Sequence, residues 1–295
     1  MGLFRDSFEK GEFLVTAEVG PPKGTDVAPL LAHARHLVGK VHAVNVTDNQ
    51  AAMMRASSLS VCKLLLDIGL DPIFQITCRD RNRLAIQSDL LGAHILGIRN
   101  VLCLTGDHVT AGDHKEAKAV FDMESVQLLK VIGMLNSGMD MKGNKLEGAT
   151  DLFVGATVVP EANPIEPTLL KFEKKVKAGA RFFQTQAVYD SKRFMEFMSR
   201  AREHKMKDGI KILAGILLLK SAGMANYVNK NVPGIRVPEE MINRLKSAGK
   251  ERSLDAGIDI AAETIKGVKD SCDGVHIMAI GAEEHVPEIL NRAGI

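Results

Sequence analysis

Eight short apolar runs alternate with longer amphipathic segments along the whole chain, and this rhythm limits the fold more than any single motif does. The runs are Phe13–Gly20, Val41–Asp48, Asp71–Cys78, Asn100–Asp107, Leu152–Pro160, Arg181–Val188, Lys211–Leu219 and Gly274–Gly281. Each has strand length and β-branched content, and nearly continuous hydrophobicity is what a parallel sheet covered on both faces requires. Helical periodicity fills the gaps at Val27–Val38, Ser57–Gly69, Arg81–Gly97, Asp122–Leu135, Ile165–Gly179, Ser191–Lys207 and Glu284–Arg292, with Gly69, Gly97 and Gly179 placed as helix stops. Two further helical stretches, Pro238–Ala248 and Ser253–Lys269, separate the seventh strand from the eighth. The expectation is an α/β fold: a (β/α)8 barrel with a helical insertion between strands 7 and 8, forming a single domain over 1–295. An open doubly wound sheet is the alternative, since periodicity does not report closure, but no Gly-rich dinucleotide fingerprint follows the first strand.

Composition excludes several function classes. The 38 basic and 36 acidic residues leave a formal charge of +2, too little for binding a nucleic-acid backbone. No apolar run reaches the roughly 18–20 residues that cross a bilayer, and the acidic residues near the N-terminus do not fit a signal peptide, so a cytoplasmic location is expected. Cys62, Cys78, Cys103 and Cys272 form no CxxC pair, and no metal site is expected. Cys78 and Cys103 read as small buried hydrophobes. The polar stretch 136–150 reads as a mobile loop.

A barrel carries its chemistry at the carboxyl ends of its strands, and polar residues recur there. Glu18 lies in an apolar strand end closed by Gly20-Pro21-Pro22. Burial there would raise its pKa and suit a general acid, although a carboxylate bonded to a barrel-lining base fits the same pattern. Asp107 follows Gly106, a residue that lets backbone approach a ligand closely. Asp107 either faces a cationic intermediate or heterocycle edge, or caps a turn. Gln186 could read a pterin or amide edge, or pair with its neighbours. Lys174 and Lys175 could hold a phosphate or form a solvated helix face. His108 and His114 read as solvent-exposed or turn-bonded histidines, not metal ligands.

Glu18-x-x-Pro21-Pro22, Gly106-Asp107, the Pro-Glu-x-x-Pro of Pro160–Pro164, Lys175–Ala180 followed by Thr185-Gln186, and Pro233–Glu239 occur in an order that resembles the methylenetetrahydrofolate reductases. The chain also resembles the shorter reductases of anaerobic one-carbon metabolism, some of which work with a partner subunit and take electrons from other carriers. That resemblance implies a flavoprotein oxidoreductase that converts 5,10-methylenetetrahydrofolate to 5-methyltetrahydrofolate. By position it implies Glu18 as the general acid and Asp107 as the group favouring the cationic intermediate, with Gln186 contacting folate. It implies FAD, with FMN as the alternative, bound by Thr47, Gln75, Leu104, Thr105, Gly106, Asp107, Thr157, Asn163, Lys174 and Lys175. Partners implied are the folate or a related pterin and an electron-transfer subunit or a second copy.

The chain departs from the family pattern in four places. Gln75 stands for a His, Thr105 for an Arg and Val159 for a Tyr, and Leu219–Gly223 lacks the Phe that helps to stack nicotinamide. Two other readings remain at this point: a pterin-binding methyltransferase barrel without flavin, and a flavin- or folate-binding subunit dependent on a partner.

Overall fold

The computed structural model describes residues 2–203, 209–232 and 234–295. Eight parallel strands close into a barrel: β1 Leu14–Val19, β2 Ala43–Val46, β3 Pro72–Thr77, β4 Asn100–Leu104, β5 Phe153–Val158, β6 Phe182–Ala187, β7 Lys211–Leu217 and β8 Gly274–Met278. Closure is decided by β1, which pairs with β2 on one side and with β8 on the other, Leu14 opposite Gly274 and Ala17 opposite Ile277. The open-sheet alternative is thereby removed.

The helices are α1 Leu3–Glu9, α2 Ala28–Arg35, α3 Ser58–Asp67, α4 Arg83–Ile95, α5 Ser125–Asn136, α6 Glu166–Lys177, α7 Ser191–Glu203, α8 Ala222–Asn231, α9 Glu239–Ser247, α10 Gly249–Val268 and α11 Val286–Ala293. Three of them, α8 to α10, stand between β7 and β8. Positions 204–207 of the expected seventh helix, and Pro233 of the quoted motif, lie outside the described residues. Some helix starts carry side-chain caps: Asn82 accepts from Leu84 N and Ala85 N, both at 3.1 Å, and Glu124 with Gln127 closes a capping box on α5. Gly69, Gly97 and Gly179 close helices in the left-handed region.

Strand parity sorts the side chains into two environments. Val15, Ala17, Val44, Val46, Phe74, Ile76, Val101, Ala156, Ile212 and Ile277 face outward into the layer shared with the helices. Leu14, Ala43, Ile73, Leu102, Phe153, Phe182 and Leu213 fill the lower interior, where α1 closes the barrel with Phe4 and Phe8. Edge-on ring pairs join plug to wall: Phe4 with Phe182 at 5.0 Å and Phe8 with Phe153 at 4.9 Å between centroids. Gly155 gives Phe182 its room, since a Cβ there would lie 2.4 Å from the Phe182 ring.

All four cysteines are free and buried. Burial pushes the Cys78 thiol up to about 12, consistent with an inert core residue. The segment at 136–150 is tied more closely than its composition suggests. Asp140 accepts from Lys142 N and Asn144 N, Met139 bridges to Lys145, and Thr150 Oγ1 donates to Asn136 at 2.6 Å.

Candidate active site

Above the apolar floor the barrel interior turns polar. Asn45 on β2 and Gln184 on β6 face each other as paired amides, with Asn45 Nδ2 donating to Gln184 Oε1 at 2.6 Å and Gln184 Nε2 donating back to Asn45 Oδ1 at 3.0 Å. Gln184 Nε2 also reaches Thr16 Oγ1 at 3.2 Å, and Thr16 Oγ1 lies 3.0 Å from His276 Nδ1. These residues are all buried, and their mutual bonds satisfy groups that would otherwise be costly inside a barrel.

Glu18 is the next interior residue of β1 after Thr16, only 8% exposed. Gln50 Nε2 donates to its Oε1 and Gln75 Nε2 to its Oε2, each at 3.3 Å, and His276 Nε2 lies 3.6 Å from Oε2. Glu18 therefore does meet a barrel-lining base, as one sequence reading allowed, while also reaching open space. It borders a cavity of about 360 Å3 lined by Val19, Pro29, Leu30, Arg55 and Ile280. Ile280 is half-exposed and holds φ +48°, a conformation unfavourable for a β-branched residue. Its carbonyl accepts from Lys220 Nζ at 2.6 Å and the following amide, Gly281 N, donates to Glu283 at 2.8 Å, so the peptide after Ile280 is held at both its polar groups. At the rim His33 Nδ1 meets Glu284 at 2.9 Å and Glu283 at 3.6 Å, bracketing α2 to the turn before α11.

On the other side of the mouth, Thr47 Oγ1 is buried with no hydrogen-bond partner among the described residues. Gly106 holds φ +93°, and a Cβ there would come within 3.1 Å of both Arg79 Cβ and Thr77 Cβ. Asp107 follows, exposed, and its carboxylate makes no hydrogen bond among the described residues. The turn beyond it is capped by His108, which accepts from Thr110 N at 3.3 Å. Asp107 is thus not the turn cap. Thr105 bonds Ser125 at the start of α5, and Leu104 packs on the apolar floor. Gln186 is half-buried near the end of β6, where the pairing with β7 shifts register between Gln184 and Ala187.

The two lysines part company. Lys175 is buried and donates to Thr157 O at 2.6 Å, and desolvation lowers its amine to about 8. Lys174 is exposed on α6. Asn163 is also exposed, lining a separate groove with Arg193 and Arg200. The structure gathers Glu18, Thr47, Gln75, Leu104 to Asp107, Thr157 and Gln186 at the strand ends with Lys175 behind β5, and leaves Asn163 and Lys174 outside that group. Sequence reasoning passed over His276, Gln184, Asn45, Gln50 and Arg79. The first three share the interior parity of Glu18, a period-two signal hidden by their apolar neighbours.

The family model for methylenetetrahydrofolate reductase matches residues 3–294. The chain belongs to that family. It is 26% identical over 272 residues to methylenetetrahydrofolate reductase 2 of Schizosaccharomyces pombe, covering 85% of this chain and 40% of that protein. To the probable methylenetetrahydrofolate reductase (NADPH) of Caenorhabditis elegans it is 22% identical over 248 residues, covering 81% of this chain and 35% of that one. The chain thus spans less than half the length of these curated relatives. Among solved structures, a Clostridium thermocellum protein described as binding two copies of 5-methyl-5,6,7,8-tetrahydrofolic acid aligns with TM-score 0.69 at 15% identity, covering 99% of this chain and 98% of its own. DmoA of Hyphomicrobium sulfonivorans aligns with TM-score 0.54 at 8% identity, covering 96% and 88%. Both share the fold.

Proposed function

We propose that this barrel reduces 5,10-methylenetetrahydrofolate to 5-methyltetrahydrofolate with a bound flavin, FAD in the first instance, as a single cytoplasmic domain. The observation that carries the reading is Glu18: a buried carboxylate at the barrel mouth, steadied by two amides and open to a cavity. Family membership and the folate bound by the Clostridium thermocellum protein support the substrate class.

The residues fit a flavin on their own chemistry. Thr47 supplies an orphaned hydroxyl, Gly106 a backbone cradle that a side chain would fill, and Lys175 a cation beside Thr157. When bound, the flavin supplies hydride chemistry that no side chain can. The protein's own work is to place and move a proton. Glu18 protonates the nitrogen that carries the aryl substituent, which opens the five-membered ring and leaves an iminium on the pterin. Gln50 and Gln75 donate to the resulting carboxylate. Because that nitrogen bears the aryl group, the cavity beside Glu18 receives it, with Ile280 and Leu30 as apolar walls. Asp107, its carboxylate without a hydrogen bond among the described residues, favours the cation electrostatically, and Gln186 presents an amide that can read the pterin edge in both directions.

Among the described residues no helix is long and apolar enough to cross a membrane. We place the electron supply with a partner subunit or another carrier, because Leu218 and Leu219 after β7 are buried and bring no ring to the mouth. The test is the visible spectrum of purified protein, followed by anaerobic reoxidation of its dithionite-reduced form with methylenetetrahydrofolate. Colourless protein that does not take up FAD or FMN, or a reduced flavin that ignores the folate, overturns the reading. Bleaching by NADH or NADPH overturns the donor assignment alone.

A further inference from the structure

Arg79 is among the largest side chains buried in the protein, 2% exposed, and its head group lies at the mouth of the barrel instead of the core. Its stem packs under Gly106, and its backbone carbonyl accepts from Val120 N at 2.8 Å. The guanidinium grips Asp80 with two bonds, Nε to Oδ1 at 2.8 Å and Nη2 to Oδ2 at 2.6 Å. Its remaining reach goes to backbone: Nη2 donates to Asn49 O at 3.2 Å and Nη1 to Asp107 O at 3.4 Å. One planar fork thus joins the loop after β2 to the loop after β4.

Those two loops carry the groups that matter to the proposed chemistry. Asn49 precedes Gln50, whose amide donates to Glu18, and Asn49 Oδ1 accepts from Arg55 N at 2.9 Å. The same loop holds three non-glycine residues at positive φ, Asn49 at 45°, Ala51 at 53° and Ala52 at 57°. Such a run does not keep its shape unaided and needs restraint from outside. Restraint comes from Arg79 and from the loop after β4, where a Cβ on Gly112 would lie 1.8 Å from Ala52 O. Asp48, Asp80 and Asp107 surround the guanidinium and hold it in its charged form. Arg81, the neighbouring cation, is committed to Asp48 and Asp89.

We infer that Arg79 is a positioning residue that sets the spacing between Gln50, the partner of Glu18, and Asp107 across the mouth. This rests on the proposed roles of Glu18 and Asp107. A lysine keeps the charge but lacks the planar fork that serves Asp80, Asn49 and Asp107 together.

The test compares the parent with Arg79→Lys and Arg79→Met, both loaded with flavin and reduced anaerobically. Misplacement of this kind lowers a rate by roughly 10- to 100-fold. That loss is expected in reoxidation by methylenetetrahydrofolate, while reoxidation by a quinone, flavin content and thermal midpoint of Arg79→Lys stay at the parent value. Hydrogen exchange of the Arg79→Lys protein should rise in residues 49–55 and 106–112 together. A folate-dependent rate within twofold of the parent overturns the inference, and so does a parallel loss of flavin, quinone rate and midpoint. If the parent itself ignores the folate, the proposed function fails, and exchange still decides Arg79: unchanged protection in both loops refutes the hold.

Discussion

Asn45 and Gln184 hydrogen-bond to each other as a matched amide pair across the barrel interior, from strands that are not neighbours in the sheet. This bridge lies between the apolar floor and the polar mouth, and it orients Thr16 and through it His276. Replacing Gln184 with Leu leaves the Asn45 amide without its partner and takes one donor from Thr16, which keeps His276 and Val275 O. We expect a loss of about 2–3 kcal/mol in urea unfolding, partly recovered in the Asn45→Leu/Gln184→Leu double variant. A double variant no better than the sum of its singles would show that the pair is not coupled.

Glu18→Gln retains the size and much of the hydrogen bonding of the original while removing the transferable proton. Folate-dependent reoxidation of reduced flavin should fall on the order of 100-fold or more, with flavin content unchanged. Reduction at the parent rate would exclude Glu18 as the acid.

Asp107→Asn removes charge from a carboxylate that no turn requires. Stopped-flow reoxidation by folate should slow about 10- to 100-fold, and an unchanged rate would remove Asp107 from the chemistry.

Lys175 links stability to pH in an identifiable direction. Its amine titrates near 10.5 in the unfolded chain and near 8 in the folded one, so between those values the unfolded state holds the extra proton. Raising pH through this window therefore favours the folded state, by roughly 1 kcal/mol at pH 9 relative to neutral pH. Denaturant melts should show that gain in the parent and not in Lys175→Met. A bound phosphate would draw the proton back, so flavin affinity should weaken above about pH 8 in the parent.

Gly106→Ala places a methyl group within 3.1 Å of Arg79 Cβ and Thr77 Cβ, on backbone at φ +93°. A destabilisation of about 1–3 kcal/mol with loss of flavin is expected. Parent-like melting and flavin retention would mean that the cradle tolerates a side chain.

The barrel was legible because a doubly covered parallel sheet writes itself as apolar runs at regular intervals, and the strand ends holding Glu18, Asp107 and Gln186 follow from it. Closure was legible only through the count of eight units, since no local pattern reports the β1–β8 pairing, which joins residues more than 250 positions apart. Two helices escaped notice. α1 is seven residues long, and α8 contains Gly223 with mostly small or polar neighbours, so neither shows a persistent stripe. His276 was hidden inside GVHIMAIG, where one polar residue in a buried strand looks incidental until its parity is matched to Glu18 around the ring. Arg79 was hidden for the opposite reason: a charged residue beside Asp80 and Arg81 looks solvated, and only the fold turns it inward.

The phenylalanine stopper formed by α1 makes the two ends of the barrel different kinds of territory. One end is sealed with aromatic rings and answers to packing alone, whereas the other is open and answers to chemistry. Substitutions at Phe4, Phe8, Phe153 or Phe182 should therefore register in melting temperature and leave substrate discrimination alone. An engineer could rebuild the base for durability and the rim for a new substrate as two separate projects.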